Sequence, residues 1–334
     1  MATLAEQMQG ERMARVALSM FAEPNDVATG RVLAQVGGIE TLRLIESDDP
    51  VSGLSRADAL MWRESLAARI TPDLPDRVAE AQGGEFGNLV PADKEWPAGL
   101  DDLGERAPYL LWTRGATSFL TTALSDRVTI TGSRASTSYG EHVTVDLATG
   151  IADEERIVVA GGTYGIEGAA HRAVLAAGGQ TVAVLAGGLD RPYPAGHSDL
   201  LRQIGDVGQL VSELPPGAAP TMHRFIARNR LMAAISGAIV VPEAGVRSGS
   251  MTTVLTTREV GRGVGAVPGP VTSAASIGPN ELIKQRFASL VTQTSDVIAL
   301  LDADNPPKRG ATRPELGQDL GHRGPEAGAP GRSI

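Results

Sequence analysis

Residues 127–185 read RVTITGSRASTSYGEHVTVDLATGIADEERIVVAGGTYGIEGAAHRAVLAAGGQTVAVL. Three short runs rich in β-branched residues, at 128–131, 157–160 and 181–185, are separated by two longer stretches with helical spacing of apolar residues. A short, continuously apolar run fits a strand buried on both faces, and a helix between two such runs implies parallel pairing. The alternation continues outward, with strands predicted at 209–212, 238–241 and 263–267. Helices are predicted at 139–150, 166–177, 198–204, 223–236 and 250–261. The class is α/β, and the expected architecture is a doubly wound, Rossmann-like parallel sheet. Right-handed crossovers bring the loops after the strands to one edge, where ligands of such sheets bind.

The glycine-rich turns fall at that edge. Thr131-Gly132-Ser133-Arg134 ends the first strand. Glycine there admits a phosphate closely, serine and backbone N–H groups donate to it, and Arg134 adds a charged fork. Ala160-Gly161-Gly162-Thr163-Tyr164-Gly165-Ile166-Glu167 ends the second and opens a helix. Its glycine spacing is not G-x-G-x-x-G, and no acidic residue closes the next strand, so a dinucleotide cofactor is poorly supported. His171, one turn into that helix, reads as a packing residue.

Three further constellations follow. Gly187-Gly188-Leu189-Asp190-Arg191-Pro192-Tyr193-Pro194 offers an arginine beside an aromatic, a pair suited to phosphate contact and base stacking. Phe225-Ile226-Ala227-Arg228-Asn229-Arg230 puts two arginines into an otherwise apolar helix. About 200° separates them around the axis, so one should face the ligand and the other should pair internally. Ser248-Gly249-Ser250 opens the last predicted helix of the series, as an N-cap, an anion cradle, or both. Gly132, Ser133, Arg134, Gly161, Gly162, Arg191, Tyr193, Arg228, Asn229, Arg230, Ser248, Gly249 and Ser250 are the residues expected to hold a polyanion.

Composition bounds the rest. The 334 residues contain no cysteine, which removes disulfides, thiolate metal sites and cysteine nucleophiles. No apolar run approaches a bilayer span, and residues 1–20 lack the apolar core of a signal peptide, so a cytoplasmic protein without a membrane partner is expected. The net charge is -9. Between Asp126 and Leu300, however, 14 Lys+Arg stand against 15 Asp+Glu, so most of the negative charge lies in the flanks. Composition permits a polyanion and does not by itself argue for one. No zinc spacing, Walker loop or Ser/His/Asp order emerges, so no catalytic residue and no metal is expected.

In the flanks, residues 1–70 read as a small helical domain with glycine stops at Gly37-Gly38. Residues 71–105, rich in Pro, Asp and Gly, read as a linker or lead-in with little regular structure. The Rossmann-like domain is expected at 106–301, beginning with a strand in the apolar run 108–113. Residues 302–334 carry almost no large apolar side chain after Leu320 and read as a disordered tail.

The order of the motifs is more specific than any one of them. Gly132-Ser133-Arg134 is followed by Gly161-x-x-x-Gly165-Ile166-Glu167 with Ala170-His171, then Leu189-Asp190-x-x-Tyr193-Pro194. Next come Ser212-Glu213-x-Pro215-Pro216-Gly217, Arg228-Asn229-Arg230, Ser248-Gly249-Ser250, Ala266-Val267-Pro268-Gly269 and Gly278-x-Asn280-x-Leu282-Ile283. Over residues 85–300, including Trp96-Pro97 and the stretch Leu110 to Gly115, this series resembles the DprA/Smf family of DNA-processing proteins. The resemblance implies a homodimer that binds single-stranded DNA without sequence preference. It also implies protection of incoming strands and loading of RecA recombinase during natural transformation, with no enzymatic activity. The N-terminal helices are similar in position to that family's SAM-like domain. The sequence departs from the pattern in its second turn, where Thr163 and Tyr164 replace the usual alanine and arginine and Glu167 replaces aspartate. An asparagine is usual where His197 stands, and no winged-helix pattern follows residue 302.

An enzymatic alternative is a nucleotide-binding phosphoribohydrolase of the LOG type. The segments 242–245 and 248–253 echo the placement of its P-G-G-x-G-T-x-x-E signature and lack the glutamate at the helix start.

Overall fold

A computed structural model gives the structure of residues 3–302. The tail expected at 302–334 lies outside the described residues apart from Asp302. Helices α1 (Leu4–Gln7), α2 (Glu11–Phe21), α3 (Val27–Glu46), α4 (Arg56–Ala67) and α5 (Leu74–Gln82) precede strands β1 (Gly87–Leu89) and β2 (Leu111–Gly115). The alternating part runs β3 (Arg127–Ile130), α6 (Ser138–Asp153), β4 (Ile157–Gly161), α7 (Ile166–Ala176), β5 (Thr181–Leu185), α8 (Ser198–Val207) and β6 (Gln209–Ser212). It continues with α9 (Met222–Ala234), β7 (Ala238–Val241), α10 (Ser250–Glu259) and β8 (Gly263–Ala266). Helix α11 (Ile277–Lys284), strand β9 (Ser289–Leu290) and helix α12 (Thr294–Asp302) follow.

Strands β3 to β8 are buried throughout, as continuous apolar runs require. The sheet order is β1-β2-β6-β5-β4-β3-β7-β8-β9. Strands β3 to β9 pair in parallel, while β2 runs antiparallel to β6 and β1 to β2. The chain moves outward from β3 to β6, then returns to lay β7 on the other side of β3. Reversing direction with right-handed crossovers puts α6, α7 and α8 on one face and α9 and α10 on the other. Helix α12 joins α6 on the first face. Val128, Ile130, Leu147, Ile151 and Val174 fill the first interface. Val159, Val182, Val211, Leu231 and Met232 fill the second, together with Leu100 and Leu103 from the 3-10 segment Ala98–Arg106.

Residues 71–105 are more ordered than their composition suggested. Leu74 and Val78, four apart, bury one side of α5, and proline in its first turn is compatible with a helix start. The N-terminal helices are not a separately cored unit either. Val16, Leu42, Trp62 and Val78 share one cluster with Trp112, Leu201, Ile204 and Leu210 at the sheet edge. The stop expected at Gly37-Gly38 is a break within α3, where Gly37 takes φ 78°. The Glu11 carboxylate accepts the freed Gly38 N–H at 2.7 Å. Among the described residues no helix is long and apolar enough to cross a membrane.

Candidate functional site

The switch of winding direction leaves a crevice beyond the ends of β3 and β7, and the loops there build a cleft of about 680 Å³. Its walls carry Gly132, Ser133 and Arg134 after β3, Thr163 and Glu167 after β4, and the first turns of α9 and α10. The two central loops are tied together. Ser133 N–H donates to the Glu243 carbonyl at 2.7 Å. The Glu243 side chain turns back and accepts from Thr137 N–H at 2.9 Å and from Thr137 Oγ1 at 2.5 Å. A buried carboxylate thus neutralises the N-terminal end of α6. Gly140 makes room for it, since a side-chain carbon there would overlap that carboxylate.

Helix α9 begins at an N-cap threonine, Thr221, and sends its residues in several directions. Phe225 lies half-buried in the cleft, with the Arg134 guanidinium 4.5 Å from its ring centroid and the Tyr193 ring 5.8 Å away. Arg228 is 5% exposed. Its Nη1 donates to the Val184 carbonyl at 2.8 Å and its Nη2 lies 3.6 Å from Glu167. Burial pushes the Glu167 carboxyl up. The Arg228 charge and bonds from the Thr163 and Thr131 hydroxyls outweigh burial and hold it below the ordinary carboxylate range. Asn229 Nδ2 donates to the Gly249 carbonyl at 2.9 Å and to Thr252 Oγ1 at 3.0 Å, fixing the start of α10.

The sequence-predicted residues fall into three groups. Gly132, Ser133, Arg134, Arg228, Asn229, Ser248, Gly249 and Ser250 come together around the cleft. Gly162, Arg191 and Tyr193 line a smaller crevice beside it, which shares Phe225 and Arg228. Gly161 and Arg230 do not reach the ligand side, and here the sequence expectation is corrected. Gly161 sits behind the wall, its missing side chain replaced in space by the Arg228 guanidinium. Arg230 is 2% exposed. It grips Glu213 through Nη1 at 2.6 Å and Nη2 at 2.5 Å, and donates from Nε to the Arg106 carbonyl. Of the two arginines, Arg228 lines the cleft while it faces Glu167, and Arg230 is turned inward onto Glu213.

Serine chemistry is partly spent locally. Ser133 Oγ donates to the Ala135 carbonyl, and Ser248 Oγ and Ser250 Oγ share a hydrogen bond of 2.7 Å. Arg134 and Arg247 are exposed and, among the described residues, form no ion pair. They are the cations available to an anion in the cleft. His171, as expected, is a packing residue, held between Thr181 Oγ1 at 2.8 Å and the Gly161 carbonyl at 3.0 Å. The sequence names Phe225 and Ile226 within a motif without giving them a role, and it gives none to Met222 or Arg247. Met222, Phe225 and Ile226, three and four residues apart on one side of α9, were the available signal. No cluster of His, Asp and Glu that could hold a metal occurs among the described residues.

Comparison with known proteins adds the following. The family model described as DNA recombination-mediator protein A matches residues 88–302. The chain is 47% identical over 245 residues to a putative DNA processing protein DprA of Mycobacterium tuberculosis, a match covering 69% of this chain and 62% of that protein. It therefore spans about three fifths of the length of that relative. It is 37% identical over 215 residues to the DNA processing protein DprA of Streptococcus pneumoniae, covering 64% of this chain and 74% of that one. The X-ray structure of the Streptococcus pneumoniae protein superposes with a TM-score of 0.70 at 31% identity, covering 86% of this chain and 96% of that one. The Helicobacter pylori DNA processing protein A, whose structure is described as showing a single-stranded DNA binding mode, superposes with a TM-score of 0.58 at 28% identity. That match covers 65% of this chain and 95% of the other.

Proposed function

The chain belongs to the DNA recombination-mediator protein A family, the DprA/Smf DNA-processing proteins, and on that premise we propose that it binds single-stranded DNA. In this reading it acts in the cytoplasm as a homodimer, protects incoming strands, and loads RecA recombinase on them during natural transformation. The observation that carries the DNA reading is the Phe225 ring in the cleft, with the Arg134 guanidinium against it and Tyr193 beside it. An aromatic face stacks on any base, and an adjacent arginine neutralises the phosphate that follows. The N-terminal end of α10, beyond β7, adds a weaker anion contact. No contact of this kind reads a base edge, which fits binding without sequence preference.

The test is a gel shift with labelled oligo-dT at low salt, repeated with duplex DNA as competitor. Binding that resists the duplex and weakens steeply with salt supports the reading. No shift at low salt ends it. The recombinase and dimer readings are tested apart from it, by RecA filament formation on strands already coated with a single-strand-binding protein and by sedimentation of the full chain. The first turn of α10 carries no acidic residue, so the structure offers nothing in favour of the phosphoribohydrolase reading. Incubation with AMP, followed by chromatography for free base, checks it.

A further inference from the structure

Large apolar side chains exposed to solvent usually mark a binding surface when they gather in one place. Tyr164, Tyr193, Met222 and Ile226 are exposed; Met222 and Ile226 line the cleft, Tyr193 stands against Phe225, and Tyr164 touches Gly196 three residues further along that loop. Tyr193, Met222 and Ile226 belong to the loop after β5 and the first turn of α9, around Phe225. Tyr164 comes from elsewhere, the turn between β4 and α7, and is 49% exposed. Its backbone neighbour Thr163 lines the cleft.

The Tyr164 ring is open to solvent but not loose. It packs edge-on against the His197 ring, with centroids 4.6 Å apart and planes at 71°. His197 is itself buried, with Nδ1 3.0 Å from the Gly162 carbonyl and Nε2 3.3 Å from Arg172 Nη1. Those partners fix its tautomer. Nδ1 carries the proton and donates to the carbonyl, and Nε2 accepts from the guanidinium. The phenol oxygen lies against the backbone of Gly196, where any side chain would overlap it. Gly196 is three residues from Tyr193, so the loop that supports Tyr164 also presents the second exposed tyrosine. That ring is 51% exposed and leads on to Phe225.

An aromatic ring with one side braced by protein and the other left to water has lost its rotamer freedom before any ligand arrives. Such a ring gives stacking at little entropic cost. Arg134, Arg172 and Arg191 are exposed; the Arg134 backbone abuts Gly165, next to Tyr164, and Arg172 reaches the His197 ring that braces it. We propose that Tyr164 is a nucleobase-stacking residue, positioned by His197 and Gly196, that extends the Tyr193–Phe225 platform by one further unpaired base. The proposal rests on the single-stranded DNA reading above and assigns a base, not a phosphate, to the β4–α7 turn.

The experiment is a set of salt-dependent binding titrations by fluorescence anisotropy. It compares the full chain with Tyr164→Ala, Tyr164→Phe and Tyr164→Arg, each on oligo-dT and on a strand of equal length with abasic sites. The expected result is that Tyr164→Ala weakens oligo-dT binding about 5- to 100-fold with the salt slope unchanged. Tyr164→Phe keeps wild-type affinity, which also shows that the turn still folds. Tyr164→Arg steepens the slope by about one phosphate contact. The abasic strand binds wild type and Tyr164→Ala alike. Wild type that binds oligo-dT while Tyr164→Ala binds it equally well overturns the stacking role and leaves the DNA reading standing. An Ala variant that loses salt slope overturns it too, because the residue then acts on phosphate. Wild type that binds neither strand at low salt overturns the DNA reading itself, and this proposal with it.

Discussion

Gly161 and Arg228 occupy one volume: the space that a side chain at 161 would fill holds the Arg228 guanidinium. The last residue of β4 must be glycine so that a cation can lie against the sheet, reach the Val184 carbonyl and face Glu167. The expected outcome of Gly161→Ala is therefore loss of the ion pair rather than a local clash. With Glu167 left buried and unpaired, stability falls by about 3–5 kcal/mol. Urea denaturation of the variant checks it, and a change below about 1 kcal/mol contradicts the account.

Arg134 is exposed, and its guanidinium rests on Phe225. Arg134→Ala should leave stability within about 0.5 kcal/mol of wild type. It should weaken DNA binding to a similar degree on every sequence and reduce the salt slope by about one. Titrations on oligo-dT and oligo-dA at several salt concentrations test this. An altered base preference speaks against a phosphate role.

Arg230 makes the opposite prediction. Its pairing with Glu213 is buried on both sides. Arg230→Ala should cost about 3–5 kcal/mol because Glu213 keeps its desolvated charge. The double variant Arg230→Met with Glu213→Leu should recover most of that loss. Chemical denaturation of the two variants decides the matter. A single variant as stable as wild type removes the structural role.

His171 gives a pH signature. Burial pushes its imidazole down to about 4, from an ordinary value of 6.5, and the nearby Glu167 charge only partly opposes this. Its ring faces Thr181 and the Gly161 carbonyl, with Glu167, His197 and Arg228 as the charged or titratable neighbours. Between those two values the unfolded chain binds the proton and the folded chain does not. The contribution is fully present above about pH 6.5 and is lost as pH falls towards 4, amounting to about 3 kcal/mol. In an NMR titration the His171 ring resonance should stay fixed from neutral pH to about 5. A midpoint near the ordinary value sinks this account.

The sheet was legible because both its faces are covered. Runs such as 181–185 and 238–241 have no polar face to confuse the reading, and they match β5 and β7 residue for residue. The ordered turns were legible for the same reason: each glycine stands where a parallel strand stops. What could not be read was which side of the wall a residue occupies. Arg228 and Arg230 look alike in sequence, and their fates depend on Glu167 and Glu213, distant in the chain and brought close only by the sheet order. Likewise Gly161 resembles part of a phosphate loop and instead makes room for Arg228. Residues 71–105 look like a linker in sequence because proline and aspartate at a helix start count as loop composition, while Leu74 and Val78 share a buried side only in the fold.

The shared core between the N-terminal helices and the sheet edge has a practical consequence for anyone trimming the chain. A cut at residue 88, where the family match begins, removes α2 to α5 from over Trp112, Leu201 and Ile204. It also removes Glu23, which holds Arg224 through Nε at 3.0 Å and Nη2 at 2.8 Å, one residue before Phe225. The fragment would present a raw apolar flank to water and slacken the helix that carries the stacking ring. The first 87 residues work as a retaining wall, and a shortened protein that failed to bind would say more about that wall than about the cleft.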